Sequence, residues 1–283
     1  MTRDPVFVHL TDIHIGRPDD PHLHSDTLTT LRAALAEIAR IAPAPDFIVA
    51  SGDLTNAGDA ESFRVLAAEM ARTGLPVIWA LGNHDTREGF HEAMTGSASS
   101  APLDHDAVHA GVHVIALDTS VPGAIGGALD EAQFGWLEER LAAHPGLPKL
   151  IVAHHPPNLA GVADDTPWRA LPPEQSARLG DLIEGRGVVG ILSGHIHHDR
   201  FSLWRGVPVI VGTGLHAATD ILAADRLRMV RGAGFGIGTI RPSGLTLAVV
   251  PLPQDRAELA NYPLAELRER ALARDGAAFA RAG

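Results

Sequence analysis

Five stretches of the chain place residues that can ligate metal directly after an apolar run. They are Asp12 and His14 in TDIH, Asp53 in GDLTNAG, Asn83, His84 and Asp85 in GNHD, His154 and His155 in HHPP, and His195 and His197 in GHIH. Carboxylate, carboxamide and imidazole groups suit a borderline ion, and a chain with no cysteine has no thiolate to offer. Zn, Mn or Fe therefore fits better than a softer metal. The two-residue spacing of Asp12 with His14, and of His195 with His197, puts each pair on one side of an extended segment. Gly52, Gly82 and Gly194 each precede a candidate ligand and permit tight turns with close backbone approach. Two divalent ions would bring about +4 against about −2 from Asp12 and Asp53 and about −1 from a hydroxide, which leaves a site that attracts a phosphodiester.

Such residues work only if the fold brings them together. Strand-length apolar runs VFVHL, DFIVAS, PVIWAL, VHVIALD, KLIVA and VVGILS alternate with helical periodicity at Asp26–Ile41, Ala60–Arg72 and Glu131–Ala143, which predicts βαβ units with buried strands. In open α/β sheets ligands gather beyond the carboxyl ends of the strands, so the five clusters are expected at one edge. After Arg200, FSLWRGVPVIVGTG and FGIGTIRPSGLTLAVV read as strands joined by short turns, and predict a second, largely antiparallel sheet. Residues from Pro263 to Ala282 carry one amphipathic helical pattern and are expected at the periphery. The 283 residues, 45% hydrophobic, are enough for a full core. A formal charge of −11 with scattered Lys and Arg argues against duplex nucleic acid as a partner. Neither a signal peptide nor a membrane-spanning run is visible, so the expectation is a soluble, cytoplasmic chain with no membrane partner.

The ordered set DIH, GDLTNAG, GNHD, HHPP and GHIH resembles the calcineurin-like metallophosphoesterase superfamily. Within it, the set is most similar to the bacterial class III cyclic-nucleotide phosphodiesterases and the related glycerophosphodiesterases. The likeness runs from about Val6 to His216. It implies an α/β fold, a four-layer αββα sandwich of two mixed β-sheets flanked by helices, over residues 1–255, with 256–283 a helical tail. It implies a metal-dependent phosphoric diester hydrolase with two divalent metal ions, Mn, Fe or Zn. One ion would be held by Asp12, His14, Asp53 and His197, the other by Asp53, Asn83, His154 and His195, with Asp53 bridging. His84 would sit over the substrate phosphate without ligating metal, oriented by Asn56. Asn83 and His216 would join His84 in lining the substrate pocket. The reaction implied is attack of metal-activated hydroxide on the phosphorus of a small phosphodiester, such as 3′,5′-cyclic AMP. Glycerophosphodiester, monoester or sugar-nucleotide pyrophosphate hydrolysis is the alternative, and a non-catalytic protein-binding scaffold is a third reading. Related diesterases assemble, which leaves a homo-oligomer open.

Each motif alone has a plainer reading: DxH can end a strand, GNHD can be a turn and HHPP a rigid loop. His9, inside a strand run, reads as a satisfied core histidine, and His155 as pointing away from its neighbour His154. His22, His24, His91, His105, His109 and His198 read as loop or solvated residues, any of which could touch substrate from a loop over the site. Where protein phosphatases of the superfamily carry GDxxDRG, this chain has Asn56 and Ala57. Loss of that arginine disfavours monoesters, whose extra charge it would hold. The only tyrosine, Tyr262, lies beyond every motif, against the purple acid phosphatase branch, which needs a tyrosine ligand. The long segments Thr86–Gly111 and Asn158–Leu182 are expected to set specificity. Phe90 and Trp168 are the candidates for stacking a base, and Arg87 or Arg169 for contacting a second polar group.

Overall fold

The alternating strand runs feed two different cores from opposite faces, and this builds the layers. The computed structural model describes residues 3–20, 22–161, 169–223 and 225–282. One sheet holds β1 (Val6–Leu10), β2 (Phe47–Ser51) and β3 (Val77–Ala80) in parallel, extended through β12 (Gly234–Arg241) by β13 (Gly244–Pro251). A six-stranded sheet runs in the order β4 (His105–His109), β5 (Val112–Leu117), β6 (Lys149–Ala153), β7 (Val188–Ser193), β9 (Val207–Val211) and β8 (Arg200–Trp204).

Phe7, Phe47 and Val49 of the first sheet meet Val114, Leu150 and Val152 of the second in one buried cluster between the sheets. The opposite face of the first sheet, with Val8, Leu10 and Ile48, packs on α1 (Thr27–Ile38) through Leu31 and on α2 (Ala60–Ala71) through Phe63 and Leu66. Ile115, Leu117 and Ile151 of the second sheet face away from the first. They pack on α4 (Glu131–Ala142) through Phe134 and Leu137, and on α5 (Pro173–Ile183) through Leu179 and Ile183. The result is the αββα sandwich of two mixed sheets that the motif order implied. Among the described residues no helix is long and apolar enough to cross a membrane.

The region after Arg200 departs from expectation. Its two hairpins form no sheet of their own. The β8–β9 hairpin adds to the six-stranded sheet through parallel pairing of β9 with β7, and β12–β13 adds to the other through antiparallel pairing of β12 with β1. Turn residues fix the pairing inside a hairpin; the unpaired N–H and C=O groups along β1 and β7 decide where it docks. A small antiparallel sheet does exist, but it is built from β10 (Ala218–Thr219), β11 (Arg226–Val230) and β14 (Glu258–Pro263). Segment 256–283 therefore carries a strand as well as α6 (Leu264–Ala282).

Candidate metal centre

Parallel pairing of β2 with β1 and β3, and of β6 with β5 and β7, points their carboxyl ends to one edge. The loops that leave them are then stitched together by backbone bonds. Asp12 N–H donates to Gly52 O at 3.0 Å, His14 N–H to Asp53 O at 2.9 Å, and Gly194 N–H to His154 O at 3.0 Å. Asp85, one of the ligand-capable residues of GNHD, serves this scaffold by accepting from the amides of Leu54, Thr55 and Gly82. Burial, followed by the charge of Asp53, pushes its carboxyl up to about 6.

The ligand pairs do not sit on extended backbone, as their spacing suggested. Asp12, His14, Asp53, His195 and His197 all have positive φ, between 45° and 76°. Non-glycine residues adopt this left-handed region reluctantly, and it recurs at functional sites held in place by their surroundings. The sharp turns bring side chains together that alternate extended positions would splay along the strand axis. The glycines answer to the same crowding. A Cβ on Gly52, whose φ is +99°, would lie 2.5 Å from His154 Nδ1, and one on Gly194 would lie 1.9 Å from Thr11 Oγ1 and 2.5 Å from Asp12 Oδ2.

One ring nitrogen of each of three imidazoles is turned outward. His14 Nδ1 pairs with Asn56 Oδ1 at 3.0 Å, His154 Nδ1 with Ser51 O at 3.0 Å, and His197 Nδ1 with Ala217 O at 3.1 Å. Because each partner is an oxygen acceptor, Nδ1 carries the proton and Nε2 keeps a bare lone pair, the tautomer of a metal-ligating histidine. Those Nε2 atoms face carboxylates. His14 Nε2 is 3.5 Å and His154 Nε2 3.3 Å from Asp53 Oδ2, while His197 Nε2 is 3.3 Å from Asp12 Oδ1. His14 Nε2, His154 Nε2 and Asn83 Oδ1 are buried without a hydrogen-bond partner. Bare lone pairs buried against carboxylate oxygens are costly unless a cation stands between them. The donor atoms of Asp12, His14, Asp53 and His197 lie within 4.8 Å of one another, and on the other side of Asp53 stand His154 Nε2 and the unpartnered Asn83 Oδ1. The donor set thus fits divalent ions, with Asp53 Oδ2 between its two halves.

The titration directions tell the same story. Burial pushes the Asp12 carboxyl up. Burial also opposes ionisation of Asp53, yet His154, His84 and His14 hold its carboxyl well below the usual range. Burial works against protonation of His154 too, but the Asp53 and Asp12 carboxylates outweigh it and hold the imidazole up to about 9. His14, crowded by His216 and His84, is driven the other way by burial. The same carboxylate field that raises His154 would draw a cation to its Nε2.

Around this core the remaining histidines sort out. His84 takes Asp53 Oδ1 on its amide at 2.8 Å, and its Nδ1 donates to the backbone carbonyl of Asn56 at 2.9 Å. This corrects the role assigned to Asn56. Its side chain holds His14 and donates to Asp20 Oδ2 at 2.6 Å, and only its main chain holds His84. His155 is committed at both nitrogens, to Thr119 Oγ1 at 2.8 Å and Ile125 O at 3.0 Å, and packs against His195 with ring centroids 4.5 Å apart. His216 lies 4.5 Å from the His14 ring and lines the cavity; burial first, then neighbouring His197, pushes it down to about 3. His9 is a core residue bonded to Ser51 Oγ at 2.8 Å, as expected from its strand position.

Over the centre lies a cavity of about 630 Å³, reached by His14, Asp53, Asn83, His84, His195 and His197. Its walls differ from the two long segments singled out in the sequence. Arg169 contributes, but Phe90 is buried in the core against Phe63 and Trp79. Arg87 is tied to Asp118 at 2.8 Å and to Ser120 O at 2.9 Å, and does not line the cavity. Trp168 lies outside the described residues. The walls come instead from His22 and His24, from β11 through Leu227 and Met229, and from Leu264 and Leu267 of α6. Period-two and helical patterns mark residues as apolar without telling core from cavity, so this wall was missed.

A sequence profile of the calcineurin-like phosphoesterases matches residues 5–199. The chain is 32% identical over 257 residues to a cAMP/cGMP dual specificity phosphodiesterase of Mycobacterium tuberculosis, an alignment spanning 88% of this chain and 80% of that one. It is 33% identical over 220 residues to a probable cyclic nucleotide phosphodiesterase of Rhodococcus erythropolis, spanning 76% of this chain and 72% of the relative. Among solved structures, a purple acid phosphatase from yellow lupin superposes with a TM-score of 0.62 at 15% identity, over 89% of this chain and 52% of that one, a likeness of fold.

Proposed function

This chain belongs to the calcineurin-like phosphoesterase family, and from that premise we propose that it is a metal-dependent phosphodiesterase acting on small diesters, 3′,5′-cyclic nucleotides foremost. The observation that carries the reading is the set of bare, buried imidazole nitrogens turned toward Asp53 Oδ2. Asp12, His14, Asp53 and His197 would hold one divalent ion, and Asp53, Asn83, His154 and His195 a second, with Mn, Fe and Zn all compatible with these donors. Bound ions supply Lewis acidity for the phosphoryl oxygens and an activated water.

The chain's own residues do the rest. Hydrolysis adds a water oxygen to phosphorus and breaks an ester P–O bond, and the departing alkoxide must gain a proton. Asn56 O holds a proton on His84 Nδ1, so a proton passed from His84 to the departing oxygen would have to leave from Nε2, at the cavity wall. Ala57, standing where an arginine would bind a dianion, favours diesters over monoesters. Support for cyclic nucleotides comes from the similarity to relatives so named. A parallel assay of 3′,5′-cyclic AMP, 2′,3′-cyclic AMP, a glycerophosphodiester and an aryl monoester with Mn²⁺ tests the reading. Faster turnover of the monoester than of every diester overturns it. His84→Ala is expected to lower kcat with metal content unchanged by elemental analysis.

A further inference from the structure

The profile match ends at residue 199, whereas much of the cavity wall is supplied by residues beyond it. Along α6, Leu264, Leu267, Ala271, Asp275 and Ala278 recur at spacings that put them on one face of a helix. Ala271 and Ala278 are buried, while Leu272 and Phe279 on other faces are exposed. That face does two jobs. Its first turn opens onto the cavity through Leu264 and Leu267. Farther on, both oxygens of Asp275 accept backbone amides, Ile125 N–H at 2.6 Å and Gly126 N–H at 3.0 Å, and Arg274 Nε donates to Gly123 O at 2.8 Å. The start of the helix is pinned as well, by pairing of β14 with β11 and by Leu264 N–H on Asp225 O at 3.0 Å.

The loop that Asp275 grips is part of the site. Ile125 lines the cavity, and its carbonyl accepts from His155 Nε2, the imidazole that packs against His195. The cavity is therefore two-sided. Its floor is the imidazole and carboxylate centre; its outer wall is Leu264 and Leu267 with Leu227 and Met229, near Ile125 and Ile196. A phosphodiester whose organic part is a ring or hydrocarbon gains from such a wall. A polyol loses hydrogen bonds to water against these four apolar side chains, which offer none in return, and regains them only where it reaches polar groups such as His24, Asp220 or Arg226.

We infer that α6 is a specificity element of the site: Leu264 and Leu267 receive the organic group of the diester, and Asp275 locks that wall to the loop carrying Ile125. The inference rests on the phosphodiesterase reading above and selects, within it, ring-bearing diesters over polyol diesters. The test uses the full-length, Mn²⁺-loaded protein with 3′,5′-cyclic AMP, bis(4-nitrophenyl) phosphate and glycerophosphoglycerol. For Leu264→Ser with Leu267→Ser, kcat/KM for the two ring diesters is expected to fall about tenfold or more, chiefly through KM, with glycerophosphoglycerol within about threefold of wild type. If that double variant fails to fold, Leu267→Gln carries the same expectation in smaller measure. Asp275→Asn, which keeps the size of the side chain, is expected to raise KM for the ring diesters in the same pattern. Equal changes for all three substrates, or none, overturn the wall. A wild type that hydrolyses no diester overturns the reaction itself and the inference with it.

Discussion

Replacing Asn56 by Ala separates two accounts of this site. Asn56 Oδ1 accepts from His14 Nδ1, and the orientation of its amide is fixed by donation from Nδ2 to the Asp20 carboxylate. His14 is 2% exposed, so loss of the amide strands a buried N–H that water reaches poorly. Leaving such a donor unsatisfied costs about 1–3 kcal/mol. At about 1.4 kcal/mol per tenfold, that is roughly 5- to 150-fold in the affinity of an ion that needs His14 in this tautomer and orientation. It agrees with the 10- to 100-fold range, about what outer-shell partners of metal-bound histidines contribute elsewhere. His84 is untouched, because its acceptor is the main-chain carbonyl of Asn56. Chelator-stripped protein titrated with Mn²⁺, followed by calorimetry and by diesterase rate, is thus expected to show a midpoint raised about 10- to 100-fold. At saturating metal, kcat should stay within about threefold of wild type. An unchanged midpoint with a collapsed kcat would refute this and return the Asn56 side chain to His84.

Other expectations follow from particular contacts. Gly52→Ala sets a Cβ 2.5 Å from His154 Nδ1 at a φ of +99°; it should cost about 2–4 kcal/mol by urea denaturation and weaken metal binding, and a variant of wild-type stability that still binds metal speaks against the close approach. Arg87→Ala leaves the buried Asp118 carboxylate with only amide and hydroxyl partners, so stability should fall by about 3 kcal/mol with KM unchanged, whereas a raised KM at unaltered stability would make Arg87 a substrate contact. His9 is fully buried and burial pushes it down to about 4. The unfolded chain therefore binds a proton that the folded one refuses between pH 6.5 and 4, and stability present above pH 6.5 is lost as pH falls, by up to about 3 kcal/mol. Denaturation of the metal-free protein across that range should show a shallower pH slope for His9→Gln, and parallel slopes would remove His9 from the account.

The convergence of the candidate ligands was legible because their chemistry and the framework use different residue types. Strand interiors such as VFVHL and KLIVA are apolar, so Asp12, Asp53 and His154 stand out at the points where the strands stop, and parallel pairing turns those points into one edge. Backbone hand was not legible. Nothing in DIH or GHIH shows that His14 and His197 take positive φ, since that conformation is imposed by bonds from Asp53 O and Asp12 to loops far along the chain. Nor could the sequence say which atom of Asn56 serves which histidine, because side chain and carbonyl leave the same residue in different directions. Phe90 and Leu267 show the same difficulty from opposite sides. Each is an apolar residue on a helix beside the site, yet α3 (Arg87–Thr95) turns Phe90 onto Phe63 while α6 turns Leu267 into the cavity. What separates them is the neighbour each helix finds. α2 covers α3, whereas α6 meets β11 and the loop at Ile125, which leave the first turn of α6 facing open space. An apolar stripe records that a face is shielded from water; whether protein or ligand shields it is decided by the partners that the rest of the chain brings to that face.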